Sequence, residues 1–425
     1  MSTKRITILS ALLILAGNNL SAQDNTVQDK TNNTEYNPEI GYFQKAYTDL
    51  GDPEFMYGNE KFTMGLGGTV RASAFFDLHG SPDGSAAKFS ASKLSVPTDN
   101  ANKFGMSASS SELHLKARSH IGKHTIIAFI KALGNDNDDV KLNQAYVSID
   151  GLTIGKVYSF FMDLEAGAKT VDLLGPNTQI ANTQPLIGYT LPLGKHWTFG
   201  VSAEKPEVKA EERPEWGVEL DNQSMPDFAL KAKYKWNTGS IQVSGLVRNM
   251  SFWKHERGTV LANEGETRHT LGWGAALSGT FRPTKSIQIS FQDYYGKGIS
   301  RYINDISSLQ LDMGATSFNA STGLCEEMEP IPIHGGYIAC SCKWTKSLSS
   351  NFLWGYLNVK HPDGMNISDN LKLSTYGAAN LFYTVNKYCS IGLEYTGGIR
   401  KNYKEADEDD TGEGNRINTT FIFQF

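Results

Sequence analysis

Lys231, Lys233 and Lys235 stand at every second position, and Glu112, His114, Lys116, Arg118 and His120 repeat that spacing earlier in the chain. In an extended strand a period of two places such residues on one face. Two chemistries fit these rows. Glu112 with His114 and His120, or the acidic cluster Asp136–Asp139, could supply a general acid and base. A row of bases could instead hold a field that attracts anions. No His-Glu-x-x-His, Gly-x-Ser-x-Gly or phosphate-binding loop accompanies them, so catalysis is the weaker reading. Gly65-Leu66-Gly67-Gly68 reads as a glycine cluster at a strand start rather than a nucleotide site.

The strands that would carry these rows have apolar alternate positions. Val70, Ala72, Ala74 and Phe76 form one set; Trp197, Phe199 and Val201, then Phe228, Leu230, Tyr234 and Trp236, then Ile287, Ile289 and Phe291 form others. The chain ends the same way: Phe421, Phe423 and Phe425 alternate with Thr420 and Gln424, Ile422 being the exception on the polar side. With 21 Phe, 18 Tyr, 7 Trp and 41 Gly in 425 residues, the composition suits short strands between lipid and water. After the N-terminus no apolar run approaches the roughly 18 residues of a membrane helix. The last strand resembles the closing strand of bacterial outer-membrane barrels, in which a terminal aromatic is part of the signal read by the insertion machinery.

Strands are predicted at 61–77, 110–120, 123–133, 140–150, 151–159, 183–193, 196–205, 226–236, 239–250, 268–281, 285–296, 334–344, 350–360, 370–385, 387–400 and 415–425. The predicted fold is all-β: a 16-stranded antiparallel transmembrane barrel, an even number as bacterial barrels require. Even strands are followed by tight turns such as Gly122-Lys123, Asp150-Gly151, Gly194-Lys195 and Asn386-Lys387. Odd strands lead to long polar segments at 78–109, 160–182, 206–225, 251–267, 297–333 and 401–414. Short turns at one end and long loops at the other distinguish periplasm from exterior. A soluble sandwich has no reason to sort its loops by parity.

The N-terminus reads as an address. Lys4 and Arg5 precede the apolar stretch Ile6–Ala16, and Ser21-Ala22-Gln23 offers a cleavage site. The expected organisation is a signal peptide at 1–22, an irregular periplasmic segment at 23–60 and the barrel at 61–425, in the outer membrane of a Gram-negative bacterium. Loss of Lys4 and Arg5 would leave 38 basic against 45 acidic residues, a net charge of −7. Of the four cysteines, Cys340, Cys342 and Cys389 are expected as free, small residues facing lipid; Cys325 falls in a loop. Their number and spacing do not make a metal site, and no cofactor is expected.

If the apolar faces meet lipid, the alternate residues point inward. Eleven bases then face the lumen: Arg71, Lys116, Arg118, Lys131, Lys231, Lys233, Lys235, Arg248, Lys372, Arg400 and Arg416. Four acids join them: Asp77, Glu112, Glu204 and Glu394. The acidic surplus lies in loops, at Asp136–Asp139, Glu211-Glu212 and the run from Lys404 to Asp410. A low-dielectric wall focuses such a field and favours small anions, unless loop carboxylates fold inward to pair with the bases. The segment 159–182 decides how narrow the path is. Tyr158, Ser159, Phe160, Met162 and Asp163, then Asp172, Gly175 and Pro176, make it too apolar for a solvated loop, so it is a candidate constriction. Aromatic steps at Tyr158, Phe160, Tyr294 and Tyr376 would suit a channel for neutral sugars instead, and a plugged barrel would be a structural surface protein.

Several dispersed motifs resemble the DcaP-like outer-membrane porins: Gly67-Gly68-Thr69-Val70-Arg71 leading to Asp77, Gly155–Asp163, Gly298-Ile299-Ser300-Arg301-Tyr302-Ile303, and Lys343-Trp344-Thr345 before Leu348-Ser349-Ser350-Asn351. The resemblance spans about 60–425. It implies a trimeric, sixteen-stranded porin that passes small, preferentially anionic solutes such as dicarboxylates. The family's lining arginines are matched at Arg71. The partners implied are outer-membrane lipid and lipopolysaccharide, small anions and two further copies of the chain, with no nucleic acid.

Overall fold

The computed structural model describes residues 56–59, 61–82, 88–99, 102–135, 139–212, 216–255, 265–365, 370–403 and 410–425. The expected leader, most of 23–60, and much of the acidic runs 136–139 and 404–410 lie outside the described residues. Sixteen strands form a wall: β1 (Phe62–His79), β2 (Glu112–Ile121), β3 (His124–Gly134), β4 (Val140–Ile149), β5 (Leu152–Tyr158), β6 (Thr183–Leu193), β7 (Trp197–Glu204), β8 (Asp227–Trp236), β9 (Gly239–His255), β10 (Gly265–Thr284), β11 (Ile287–Lys297), β12 (Pro332–Lys343), β13 (Leu348–Val359), β14 (Leu371–Thr384), β15 (Cys389–Asn402) and β16 (Thr411–Gln424).

Each strand pairs antiparallel with the next, and β16 returns to β1 with Phe423 opposite Val70 and Asn418 opposite Phe75. The sheet therefore closes, leaving no edge and satisfying the backbone inside lipid. Three short strands, Met56–Gly58, Lys103–Ser107 and Val218–Leu220, extend it to 19 strands. A separate hairpin, Met313–Phe318 with Cys325–Pro330, stands in the connection between β11 and β12. β9 and β10 run further than alternation predicts, to His255 and from Gly265, because the two strands stay paired beyond the apolar band.

The outward face is apolar: Val70, Val201 and Leu230 are 51%, 55% and 57% exposed, as lipid-facing side chains must be. Cys340 and Cys342 lie outward with their sulfurs 3.8 Å apart, and all four cysteines are free. The short turns have the conformation their residues demand; Asp150 and Gly151 both take positive φ, 48° and 94°, as a two-residue hairpin loop requires. At the closing seam Phe425 and Gly68 exchange both backbone hydrogen bonds, at 2.9 and 3.0 Å. A Cβ on Gly68 would lie 2.7 Å from the Phe425 ring, so this glycine makes room for the terminal aromatic.

Candidate functional site

The interior is occupied by loops. Between β5 and β6, residues 159–182 turn inward, and Phe161, Met162, Asp163, Val171, Asp172, Asn177 and Ile180 are buried. Glu204, the last residue of β7, receives the start of this segment: its carboxylate accepts the Ser159 hydroxyl at 3.0 Å and the Phe160 N–H at 2.9 Å. The Phe160 ring then packs on Gly188 and Gly200, where a Cβ would come within 2.7 and 3.0 Å. Asp163 pairs with Lys233 at 2.6 Å and accepts the Ser278 hydroxyl at 2.8 Å. Glu165 pairs with Lys233 at 3.1 Å and also with Lys235.

The far part of the segment reaches the opposite wall. Glu394 on β15 accepts the N–H groups of Val171 and Asp172 at 2.8 and 2.7 Å, and the Asn380 amide at 2.8 Å. Arg71 on β1 donates to the Val171 carbonyl at 2.5 Å and to the Thr420 hydroxyl at 3.2 Å. Val171 packs against Phe382 and Ile422, which explains why an apolar residue interrupts the polar face of β16. Thr178 bonds the Gly336 carbonyl at 2.9 Å, and the Ile180 N–H reaches Gln292 at 2.7 Å. Gly175, joined to Pro176 by a cis peptide, lies against Tyr376, whose hydroxyl would be 2.5 Å from a Cβ there. Held by β1, β7, β8, β10, β11, β12 and β15, the segment crosses the lumen.

Two further loops join it, which periodicity does not reveal. Residues 88–95 follow β1 inward, with Phe89, Ala91 and Leu94 fully covered. Residues 298–312 follow β11 inward and bury Ile299, Tyr302, Ile303 and Ile306 beside Phe160 and Phe161. Arg248 and Arg301 fasten this third loop: Arg248 pairs with Asp227 at 3.0 Å and Asp312 at 3.1 Å, and Arg301 with Asp227 at 3.4 Å. The motif around Arg301 was the available signal; its apolar residues, spaced irregularly, carry no strand or helix period.

The predicted inward bases divide into groups. Arg416 forks onto Asp77 at 2.5 and 3.0 Å, Lys131 pairs with Glu112 at 3.3 Å, and Lys233, Lys235 and Arg248 pair with the acids described above. Lys231 lies 4.0 Å from the centre of the Phe160 ring. Arg400 donates to Asn402 and to the Leu94 carbonyl. Lys116 is buried and Arg118 half-buried, both on the inward face of β2. Lys372 departs from the expected face. The pairing of β14 with β15 shifts between Leu371 and Leu373, so Leu371 takes the buried place and Lys372 is exposed, 5.3 Å from the Tyr403 ring. Of the candidate aromatic steps, Phe160, Tyr294 and Tyr376 are buried beneath the loops and Tyr158 is half-buried.

Burial shapes the loop charges. It pushes the Asp305 carboxyl up to about 6 against its bonds from Ser90 and Ser92, with Asp172 adding to the rise. Asp172 is likewise raised by burial, although Phe89, Leu174, Arg416 and Tyr376 oppose this. Lys169, 3.7 Å from the centre of the Phe382 ring, is pushed down to about 7 by burial and then by the like charge of Arg71.

The sequence model of the DcaP outer membrane protein family matches residues 28–425; the chain belongs to that family. No curated protein matches it in sequence. Among solved structures it is similar to the outer membrane channel DcaP of Acinetobacter baumannii, at 18% identity and TM-score 0.71, covering 87% of this chain and 99% of that one. It is also similar in fold to OmpT of Vibrio cholerae in its trimer form, at 10% identity and TM-score 0.51 over 86% and 100% of the two chains. An anion-selective porin from Comamonas acidovorans matches at 9% identity and TM-score 0.55, covering 86% and 100%. The protein is an outer-membrane channel of the porin type, and not an enzyme.

Proposed function

We propose that this DcaP-family channel passes small hydrophilic solutes by diffusion and prefers anions, dicarboxylates among them, with residues 159–182 as its constriction. One observation carries the preference: the inward acids of the strands are withdrawn from lumenal water. Glu204 and Glu394, each 1% exposed, bind loop N–H groups; Asp77, fully covered, binds Arg416; Glu112 binds Lys131. A permeating ion meets little carboxylate there, while Arg71 and Lys169 stand close enough for their like charges to act on each other. An anion beside them relieves that repulsion in a low-dielectric wall.

We assign the pore-lining role to Arg71, Lys116, Arg118 and Lys231, on the inward faces of β1, β2 and β8. A homotrimer fits the same reading, as does export by a cleaved signal peptide, insertion through the Phe-terminated strand, and contact of the outer loops with lipopolysaccharide. The neutral-sugar reading is weakened because three of its four aromatic steps, Phe160, Tyr294 and Tyr376, are covered. Uptake into proteoliposomes tests the proposal: succinate should enter several-fold faster than an uncharged solute of equal size. Equal rates, or block by oligosaccharides, would overturn it.

A further inference from the structure

Residues 88–95 lie in a recess of the wall that is shaped by glycines. A Cβ on Gly398 would lie 2.9 Å from the Ala91 Cβ, one on Gly414 2.4 Å from the tip of Leu94, and one on Gly412 2.1 Å from the Ser95 carbonyl. Glycine weakens a strand interior and marks places where another backbone approaches. Three of them on the neighbouring strands β15 and β16 mark one such approach. Phe89, Ala91 and Leu94 fill the recess together with Tyr376, Tyr337 and Ala168.

The polar side of the segment is held differently from a strand. The N–H groups of Phe89, Ala91 and Ser92 donate to side-chain oxygens of Asp172, Asn177 and Asp305, at 2.9, 2.8 and 2.8 Å. The Asn177 amide returns a bond to the Phe89 carbonyl at 2.8 Å, and the Ser90 hydroxyl donates to Asp305. Among the described residues its sheet pairing is the isolated bridge between Pro82 and Leu94. Among the described residues the segment is thus seated by an apolar recess, by acceptors on two other loops and by the Arg400 side chain at the Leu94 carbonyl, with no ladder continuing into the wall. These contacts can be broken together without opening a strand pair of the barrel, and the seated segment occupies lumen beside 172–177.

We propose that residues 88–95 are a plug that leaves and re-enters this recess as a unit, switching the lumen between a narrower and a wider state. The inference does not depend on ion preference, so a failed selectivity test leaves it standing.

Planar-bilayer recordings of the purified full chain test it, with heat-modifiable gel mobility checking that each variant is folded. The double variant F89A/L94A loses the side chains that fill the recess; its time-averaged conductance should rise at least twofold over wild type. The pair L94C/G414C should stay at the lower conductance when oxidised and regain the higher level in dithiothreitol, while wild type ignores both treatments. An F89A/L94A conductance equal to wild type overturns the proposal, as does an oxidised L94C/G414C channel indistinguishable from its reduced form. If the cysteine pair does not insert, F89A/L94A alone decides.

Discussion

Two stretches of the lumen-crossing segment 159–182, a head at 163–165 and a tail at 169–172, are secured by different chemistry. At its head, Asp163 and Glu165 meet Lys233 and Lys235, so acid and base cancel. At its tail, Glu394 accepts backbone N–H groups, while Arg71 donates to a carbonyl and lies near Lys169. The head therefore holds the loop with ion pairs, and the tail holds it with carboxylate–amide bonds beside like-charged bases. Of the inward acids, Glu204 and Glu394 fix loop backbone while Asp77 and Glu112 pair with wall bases, so the count of inward charges does not by itself measure what a solute meets.

The largest effect is expected at the head. Lys233→Met leaves Asp163 buried at 1% exposure with its charge uncompensated, which costs about 3–5 kcal/mol. Combining it with Asp163→Asn should restore most of that loss, because the pair acts as a unit; guanidinium unfolding in detergent measures both. At the tail, Glu394→Gln keeps one acceptor oxygen and should cost about 1–3 kcal/mol. A tail variant more damaging than the head variant would break the contrast.

Acidity gives a smaller effect with a definite sign. Asp305 titrates near 6 when buried, above its ordinary 3.8, so its contribution to loop seating is full below 3.8 and lost as pH rises through about 6. Lys169 titrates near 7, below its ordinary 10.5, so its contribution is full above 10.5 and lost as pH falls through about 7. The groups facing them are Asp172, Ser90 and Ser92 around Asp305, and Arg71 and the Phe382 ring around Lys169. The loops should be least tightly seated between about 6 and 7. Limited proteolysis across pH 5 to 9 should show fastest loop cleavage there, and Asp305→Asn should flatten the acid side.

The barrel was legible because its signals are local. Alternation in β1, β7, β8 and β11, turn residues after even strands, and aromatic residues at the C-terminus all act within a few positions. The loops were legible only in part. The apolar run Tyr158–Met162 pointed to one inward segment; Ile422 stood out on the polar face of the last strand, but its contact with Val171 is visible only in the structure. Phe89, Leu94, Ile299 and Ile306 left no comparable trace, since their burial depends on contacts between segments far apart in the chain. Lys372 was misplaced by the bulge beside Leu371, a one-residue slip that reverses a face. The pairing of Glu204 and Glu394 with loop backbone was likewise hidden, because nothing in a strand's own sequence says which amide its carboxylate will accept.

The most direct test of the account is the reversal potential of the purified channel in a potassium chloride gradient, with Arg71→Gln beside wild type. Anion permeation through a lumen whose acids are occupied predicts a wild-type reversal of the chloride-selective sign, displaced toward zero in R71Q. A wild-type reversal of the potassium-selective sign would contradict it.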